Sequence, residues 1–273
     1  MKYKKLLIIL SCIAGAILLF VILLFTLFRL NKVELNFKNE TTIFASEDMQ
    51  NKVIKSGGFS YSLPIFSCDK KLITQKLELD NSYLKIINIE TVFPNKLVVH
   101  CAQREELFTI KIGDNLYYTI DEDLKILTTS TSFESTQTNS VYLGEVEVKN
   151  KTAKVGEFLN LYNSEEILKN VATAFAYNNK TVSDIKGMFK QINVSYENNY
   201  FTGKSEVVLR FVTFDNFTIK IDLPSHHLIE KLNLMLKYIP HSVKYYNSHE
   251  LVIKINPDNV LDTYIWYEEL NNN

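Results

Sequence analysis

The chain has 273 residues, of which 46% are hydrophobic and 22% are charged, and its formal net charge is −1. The hydrophobic share is enough for one large or two small domains and, with 12% aromatic residues, it argues against a disordered chain. The near-neutral charge argues against a nucleic-acid-binding protein, and three cysteines are too few for a disulfide scaffold.

The first predicted element is an apolar segment, residues 6–28, that contains no charged residue, Pro, Asn or Gln. As a helix it would cover about 34 Å, which is enough to cross a hydrocarbon core of about 30 Å. Lysines precede it in residues 1–5, and Arg29 and Lys32 follow it, a balance that favours a cytoplasmic N-terminus. The alternative is a cleaved signal peptide, but the run is long for one and lacks a small-residue cleavage site. We therefore expect a single-pass membrane anchor with an extracytoplasmic C-terminus.

The first extracytoplasmic domain is predicted over residues 32–104, with the element order β-α-α-β-β. Ser46 is a good helix N-cap, and Pro94 with Asn95 favours a turn between two strands. The predicted elements are a strand at 33–37, a helix at 46–55, a helix that begins after Ser67 or Asp69, and strands at 84–93 and 96–103.

The second domain is predicted over residues 105–256 as an antiparallel β domain with packed helices, so the fold class is α+β. Residues 128–140 are rich in Ser and Thr and are typical of a mobile loop or linker, and residues 257–273 are expected to form a tail or short helix. Predicted strands lie at 107–112, 116–120, 125–129, 141–148, 192–196, 207–214, 217–223, 243–246 and 251–255, and helices at 164–177 and 228–238.

Residues that commonly bind metals or act as nucleophiles are poorly placed. His226 and His227 are adjacent and would point in different directions, so a zinc site is not expected. His100 and Cys101 would face opposite sides of a strand, which makes them a poor nucleophile and base. Cys101 could instead pair with Cys68 in an oxidising compartment, and the sequence leaves this open.

Catalytic motifs are also missing from the sequence. Phosphate-binding glycine loops and the Gly-x-Ser-x-Gly elbow are absent. Asp121 and Asp123 could act as a general acid and base, or they could simply form a turn between strands. We expect no catalytic residue, no metal and no cofactor.

Several segments resemble one family of bacterial proteins. Residues 93–97 (Phe-Pro-Asn-Lys-Leu), 116–127 (LYYTIDEDLKIL) and 219–235 (IKIDLPSHHLIEKLNLM) are similar to motifs of the FtsQ/DivIB cell-division proteins. The segment 69–103 is similar to the second helix and last two strands of that family's POTRA domain, and residues 103–105 stand where it usually has Glu-Arg-x-Pro. The order of one anchor, β-α-α-β-β and a β domain also matches.

The chain departs from the family pattern at three places. The first strand lacks the Gly of a Val-x-Gly-Asn motif, Pro is missing after Arg104 and Glu105, and Leu124 replaces a turn glycine. These departures are typical of a divergent member.

The resemblance implies a function without catalysis. Members of this family are scaffolds of the division apparatus: they bind the single-pass proteins FtsB/DivIC and FtsL and support septal peptidoglycan synthesis. It implies a cell-membrane protein at the septum, with a POTRA domain at 32–104 and no nucleic acid or small-molecule substrate as partner. The partner would dock at the C-terminal edge of the β domain, where the candidate contacts are Tyr245, Tyr246, Leu251 and Ile253. Because side chains alternate along a strand, these residues could instead face the core.

Two other functions stay open. One is a POTRA-containing membrane assembly factor for secretion or sporulation, which a depletion phenotype would separate from a division protein. The other is a membrane-anchored enzyme that acts on the cell wall, which would need a cleft with convergent titratable groups.

Overall fold

A computed structural model shows a mixed α+β chain that divides into two compact units, Met1–Arg104 and Glu105–Asn273. The structure describes residues 2–38, 42–132, 140–144, 146–198, 205–239, 249–256 and 258–269. In the first helix and in the last strand, side chains are described only from residue 10 and from residue 263 onward.

The first unit begins with helix α1, Lys2–Leu27, whose segment Leu10–Leu27 has a mean hydropathy of 2.8 and no buried residue. This helix is long and apolar enough to cross a membrane. The elements that follow are β1 (Lys32–Phe37), α2 (Glu47–Ser56), a 3₁₀ turn (Ile65–Ser67), α3 (Lys70–Asp80), β2 (Leu84–Val92) and β3 (Lys96–Gln103). The predicted helices and strands of this unit are confirmed.

Helices α2 and α3 begin at polar caps. The Ser46 side chain accepts a hydrogen bond from the Met49 amide, and the Asp69 side chain accepts one from the Leu72 amide. Asp69 is therefore the cap of α3. The strands form a sheet in the order β1-β3-β2, in which β1 is parallel to β3 and β2 is antiparallel to it. Buried residues of the helices and sheet share one core, among them Val53, Ile73, Leu77, Leu84, Ile89, Leu97 and Val99.

Cys68 and Cys101, which could have formed a disulfide, are both free thiols. Cys101 is buried on β3, where burial raises the pKa of its thiol to about 12, whereas Cys68 is partly exposed. The structure therefore does not pair them.

The second unit contains a nine-stranded sheet in the order β12-β11-β10-β9-β8-β7-β4-β5-β6. Its strands are β4 (Phe108–Gly113), β5 (Leu116–Ile120), β6 (Ile126–Ser130), β7 (Val141–Gly144), β8 (Phe189–Asn198), β9 (Ser205–Thr213), β10 (Thr218–Asp222), β11 (His249–Asn256) and β12 (Asn259–Glu269). Its helices are α4 (Glu165–Tyr177), α5 (Val182–Met188) and α6 (Leu228–Tyr238).

The sheet is mixed, which corrects the prediction of an antiparallel domain. The pairs β4–β7, β7–β8 and β10–β11 are parallel. Parallel neighbours need crossover connections, and helices supply two of them: α4 and α5 lie between β7 and β8, and α6 lies between β10 and β11. A sequence interpretation based on hairpins misses such pairs.

One face of the sheet is covered by helices. α6 packs against β11 and against α4, and Phe175 of α4 contacts Phe189 and Phe211 with ring centroids 5.9 and 6.1 Å away. The inward side chains of β8 to β11 join this core, including Ile192, Val194, Leu209, Ile219, Ile221, Leu251 and Ile253.

The C-terminal strands differ from the prediction. Residues 259–269 were expected to be a tail or short helix, but they form β12, which pairs antiparallel with β11. A hairpin of 251–255 with 243–246 was also predicted, but β11 pairs with β10 on one side and with β12 on the other. Residues 243–246 themselves lie outside the described residues.

The loop predicted at 128–140 is described only in part. Its first residues belong to β6, which extends to Ser130, and residues 133–139 lie outside the described residues.

The turn between β5 and β6 is held by Asp121. Its Oδ1 accepts hydrogen bonds from the amides of Asp123 and Lys125, at 3.0 and 2.8 Å, and its side chain is buried. These bonds favour the turn interpretation over an acid–base pair. Leu124 has a φ of 65° and a fully buried side chain. A leucine therefore occupies the left-handed position of the turn, at a backbone cost of roughly 1–2 kcal/mol that burial of its side chain offsets.

Candidate partner-binding surface

Strand β12 forms one edge of the nine-stranded sheet. Among the described residues it pairs on one side only, with β11. It is the last strand in the sheet order, and the edge of a sheet can accept another strand through backbone hydrogen bonds. With 11 residues, β12 is a long edge strand.

The side chains of β12 alternate between the two faces of the sheet. Ile265 and Tyr267 pack against the main core. Tyr264 and Trp266 point to the opposite face and are 55% and 41% exposed. This edge strand therefore carries two large, exposed aromatic side chains. Aromatic residues supply much of the binding energy at protein interfaces.

A charged cluster lies on the same face, beside β12. Asn193, Arg210, Lys220, Val252 and Trp266 are opposite one another on successive strands, so they form one row across β8 to β12. Val252 is fully buried in this row, between Lys220 and Trp266.

Arg210 is the centre of the charged cluster. Its Nε lies 3.1 Å from Glu250 Oε2, its Nη1 donates to Ser195 Oγ at 2.9 Å, and its Nη2 pairs with Glu197. Lys220 Nζ lies 2.7 Å from the second oxygen of Glu197. One carboxylate therefore bridges two neighbouring cations across three strands.

The ion pairs keep this cluster charged. Burial acts to raise the pKa of Glu197, but hydrogen bonds from Lys220 and Arg210 overcome it and leave the pKa below its usual value. Burial likewise acts to lower the pKa of Lys220, and the hydrogen bond with Glu197 raises it overall. Glu197, Arg210 and Lys220 therefore form a charged surface on the same face of the sheet as Tyr264 and Trp266.

Of the four residues predicted for partner binding, the structure describes two, and neither of these lies on the edge strand. Leu251 and Ile253 are fully buried in the core on β11, where alternation directs both of them toward the helices, so the structure corrects this choice. Tyr245 and Tyr246 lie outside the described residues. Tyr264 and Trp266 were missed, although the alternation of residues 263–267 was a usable signal.

A buried lysine stabilises the turn between β10 and α6. Lys231 of α6 is completely buried, and its Nζ donates to the carbonyl oxygens of Asp222 and Leu223 at 2.7 and 2.8 Å. Burial lowers the pKa of Lys231 to about 8. The ammonium thus ties the start of α6 to the end of β10, where Leu223 and His227 have positive φ angles.

The depressed pKa predicts a pH-dependent contribution of Lys231 to stability. Below pH 8 the ammonium is charged in both the folded and unfolded states, and its burial penalty is fully present. Between pH 8 and about 10.4 the unfolded state binds more protons, so the contribution to stability rises with pH, by roughly 1 kcal/mol per pH unit.

The measurement is the free energy of unfolding in urea, monitored by the fluorescence of Trp266, for the full chain and for Lys231→Met at several pH values from 7 to 10. Because the variant lacks only Lys231, the difference between the two proteins removes the contribution of the other titrating groups. The stability difference, wild type minus variant, should increase with pH; a constant or decreasing difference would contradict this prediction.

Among the residues that the structure describes, no group of three or more His, Cys, Asp or Glu side chains could hold a metal ion. No protein-family model matches the chain, and no curated protein matches it.

Proposed function

We propose that this chain is a divergent member of the FtsQ/DivIB family and a non-enzymatic, single-pass scaffold of the bacterial division apparatus. It binds FtsB/DivIC-like and FtsL-like single-pass proteins outside the cytoplasm and thereby supports septal peptidoglycan synthesis. The observation that carries the proposal is the position of β12 at the edge of the sheet, with the exposed side chains of Tyr264 and Trp266.

The architecture supports this proposal. Helix α1 has the length and apolarity of an anchor, and the lysines before it favour an N-terminus in the cytoplasm. The chain order β1-α2-α3-β2-β3 is the element order on which the resemblance to a POTRA domain rests. A large sheet with helices on one face follows, as expected for the β domain.

The proposed binding step is strand addition. A partner segment in extended conformation pairs with the outer side of β12, and backbone hydrogen bonds supply part of the affinity. Tyr264 and Trp266 contact its alternate side chains and supply specificity. Glu268 and Glu269 are exposed at the end of the strand and favour a partner segment with basic residues at the matching positions.

Fluorescent tagging combined with depletion tests the proposed function. The tagged protein should collect at the division septum, and its depletion should block septation and give elongated or chained cells. A signal spread over the whole membrane, with normal septation after depletion, would contradict the division role. A secretion or sporulation defect with normal septation would favour the alternative of a POTRA-containing assembly factor.

A further inference from the structure

The first unit carries exposed apolar side chains around the end of α1. The ring of Phe28 lies 6.1 Å, centroid to centroid, from the rings of both Phe66 and Phe93. Phe66 and Phe93 are 55% and 68% exposed, and Tyr61 and Leu63 beside them are also exposed. We call Tyr61, Leu63, Phe66 and Phe93 the juxtamembrane rim.

The rim is attached directly to the end of the helix. The Phe28 carbonyl accepts a hydrogen bond from the Ile65 amide at 2.8 Å, and the Leu30 amide donates to the Leu63 carbonyl at 3.0 Å. Arg29 Nε donates to the Tyr61 carbonyl at 2.7 Å. These bonds leave no spacer between α1 and the folded unit, so the rim lies at the depth at which the helix ends.

The sheet places Phe93 at the same end of the unit as residues 61–66 of the rim. Lys32, at the start of β1, lies opposite Lys96, at the start of β3. Because β1 and β3 are parallel, the turn that contains Phe93 lies beside the exit of α1. The far end of the unit is marked by Ile43, whose amide donates to the Gln103 side chain at the end of β3.

Aromatic side chains next to a membrane-crossing helix are suited to the boundary between headgroups and acyl chains. There the rings are removed from water, and nearby basic side chains contact phosphates. Arg29 and Lys32 are exposed and follow the helix directly. The continuity of the rim with α1 favours lipid as its occupant, because the bilayer that surrounds the helix ends where the rim begins.

We propose that the juxtamembrane rim inserts into the interface of the bilayer that α1 crosses and holds the first unit on the membrane surface. This inference rests on the anchor role of α1 in the proposed function. It adds a second attachment, made by the folded unit itself, that limits how far the unit can turn about the helix end.

The test uses tryptophan quenching by brominated lipid in the full chain. Trp266, the only tryptophan, is first replaced by Phe. Single tryptophans are then introduced as Phe66→Trp or Phe93→Trp in the rim, Ile43→Trp at the far end and Phe20→Trp within α1. Ile43 is 53% exposed, which matches Phe66, so the control differs in position and not in exposure. Each protein is reconstituted into phosphatidylcholine vesicles with or without brominated acyl chains.

We expect quenching of Phe66→Trp and Phe93→Trp to exceed that of Ile43→Trp by roughly twofold or more, with blue-shifted emission. If Phe20→Trp is quenched but the rim variants are quenched no more than Ile43→Trp, the rim proposal fails while the anchor stands. If Phe20→Trp is not quenched, the anchor fails and the rim proposal with it. Protection of the rim variants only after a partner protein is added would also overturn the lipid assignment.

Discussion

Lysine at both positions 264 and 266 is expected to weaken binding of a DivIC-like partner by roughly 100-fold, or about 3 kcal/mol. The variant Tyr264→Lys with Trp266→Lys removes both exposed aromatic contacts. It also places charges on the edge strand β12, and lysine on an edge strand commonly prevents strand pairing. The measurement is a titration of the full chain in nanodiscs with the DivIC-like protein of the same organism.

The control for this prediction is Tyr177→Lys. Tyr177 is 70% exposed on α4, which lies on the helix-covered side of the second unit. Its replacement should leave the affinity unchanged. Equal affinities of the double variant and the wild type, with unchanged circular dichroism, would exclude this edge as the binding surface.

Loss of the buried ion pair between Glu78 and Arg104 is expected to destabilise the first unit by about 3–5 kcal/mol. Arg104 Nη2 lies 3.1 Å from Glu78 Oε2, and both side chains are largely buried. Arg104 Nε also donates to the Leu84 carbonyl, and Glu78 Oε1 accepts from the Ile86 amide. The pair thus connects α3 with the start of β2. Replacement of Arg104 by Met removes the cation that pairs with the buried Glu78 carboxylate.

Hydrogen exchange of the full chain measures this effect. Amides of α3 and β2 should exchange at least roughly 100-fold faster in Arg104→Met, while amides of β8 to β10 serve as an internal control. The double variant Glu78→Leu with Arg104→Met should recover part of the protection, because no buried charge remains, but not all of it, because the Leu84 carbonyl and Ile86 amide lose these partners. Unchanged exchange in Arg104→Met would contradict the prediction.

Much of the local structure could be predicted because its determinants are local. Ser46 and Asp69 cap helices through their own side chains, and strands β2 and β3 follow from alternation with a turn at Pro94. The short helix α5 was missed, although Thr181 and Asp184 form a capping box that could have indicated it.

The strand order could not be predicted from such signals. Parallel pairs such as β7 with β8 depend on which strand lies beside which after a helical crossover, and this is decided by packing of the whole unit. The burial of Leu251 and Ile253 could not be predicted for the same reason. Leu251 lies in an apolar run that is equally compatible with an edge or a central strand, and only the pairing of β11 on both sides places it in the core.

The most direct test of the central claim, that β12 receives a division partner, is photo-crosslinking in living cells. Benzoylphenylalanine is placed at position 264 or 266, and at 177 as the control. The account predicts that positions 264 and 266 crosslink to a single-pass, FtsB/DivIC-like division protein and that position 177 does not. The absence of this adduct from both edge positions, or the same adduct from position 177, would contradict it.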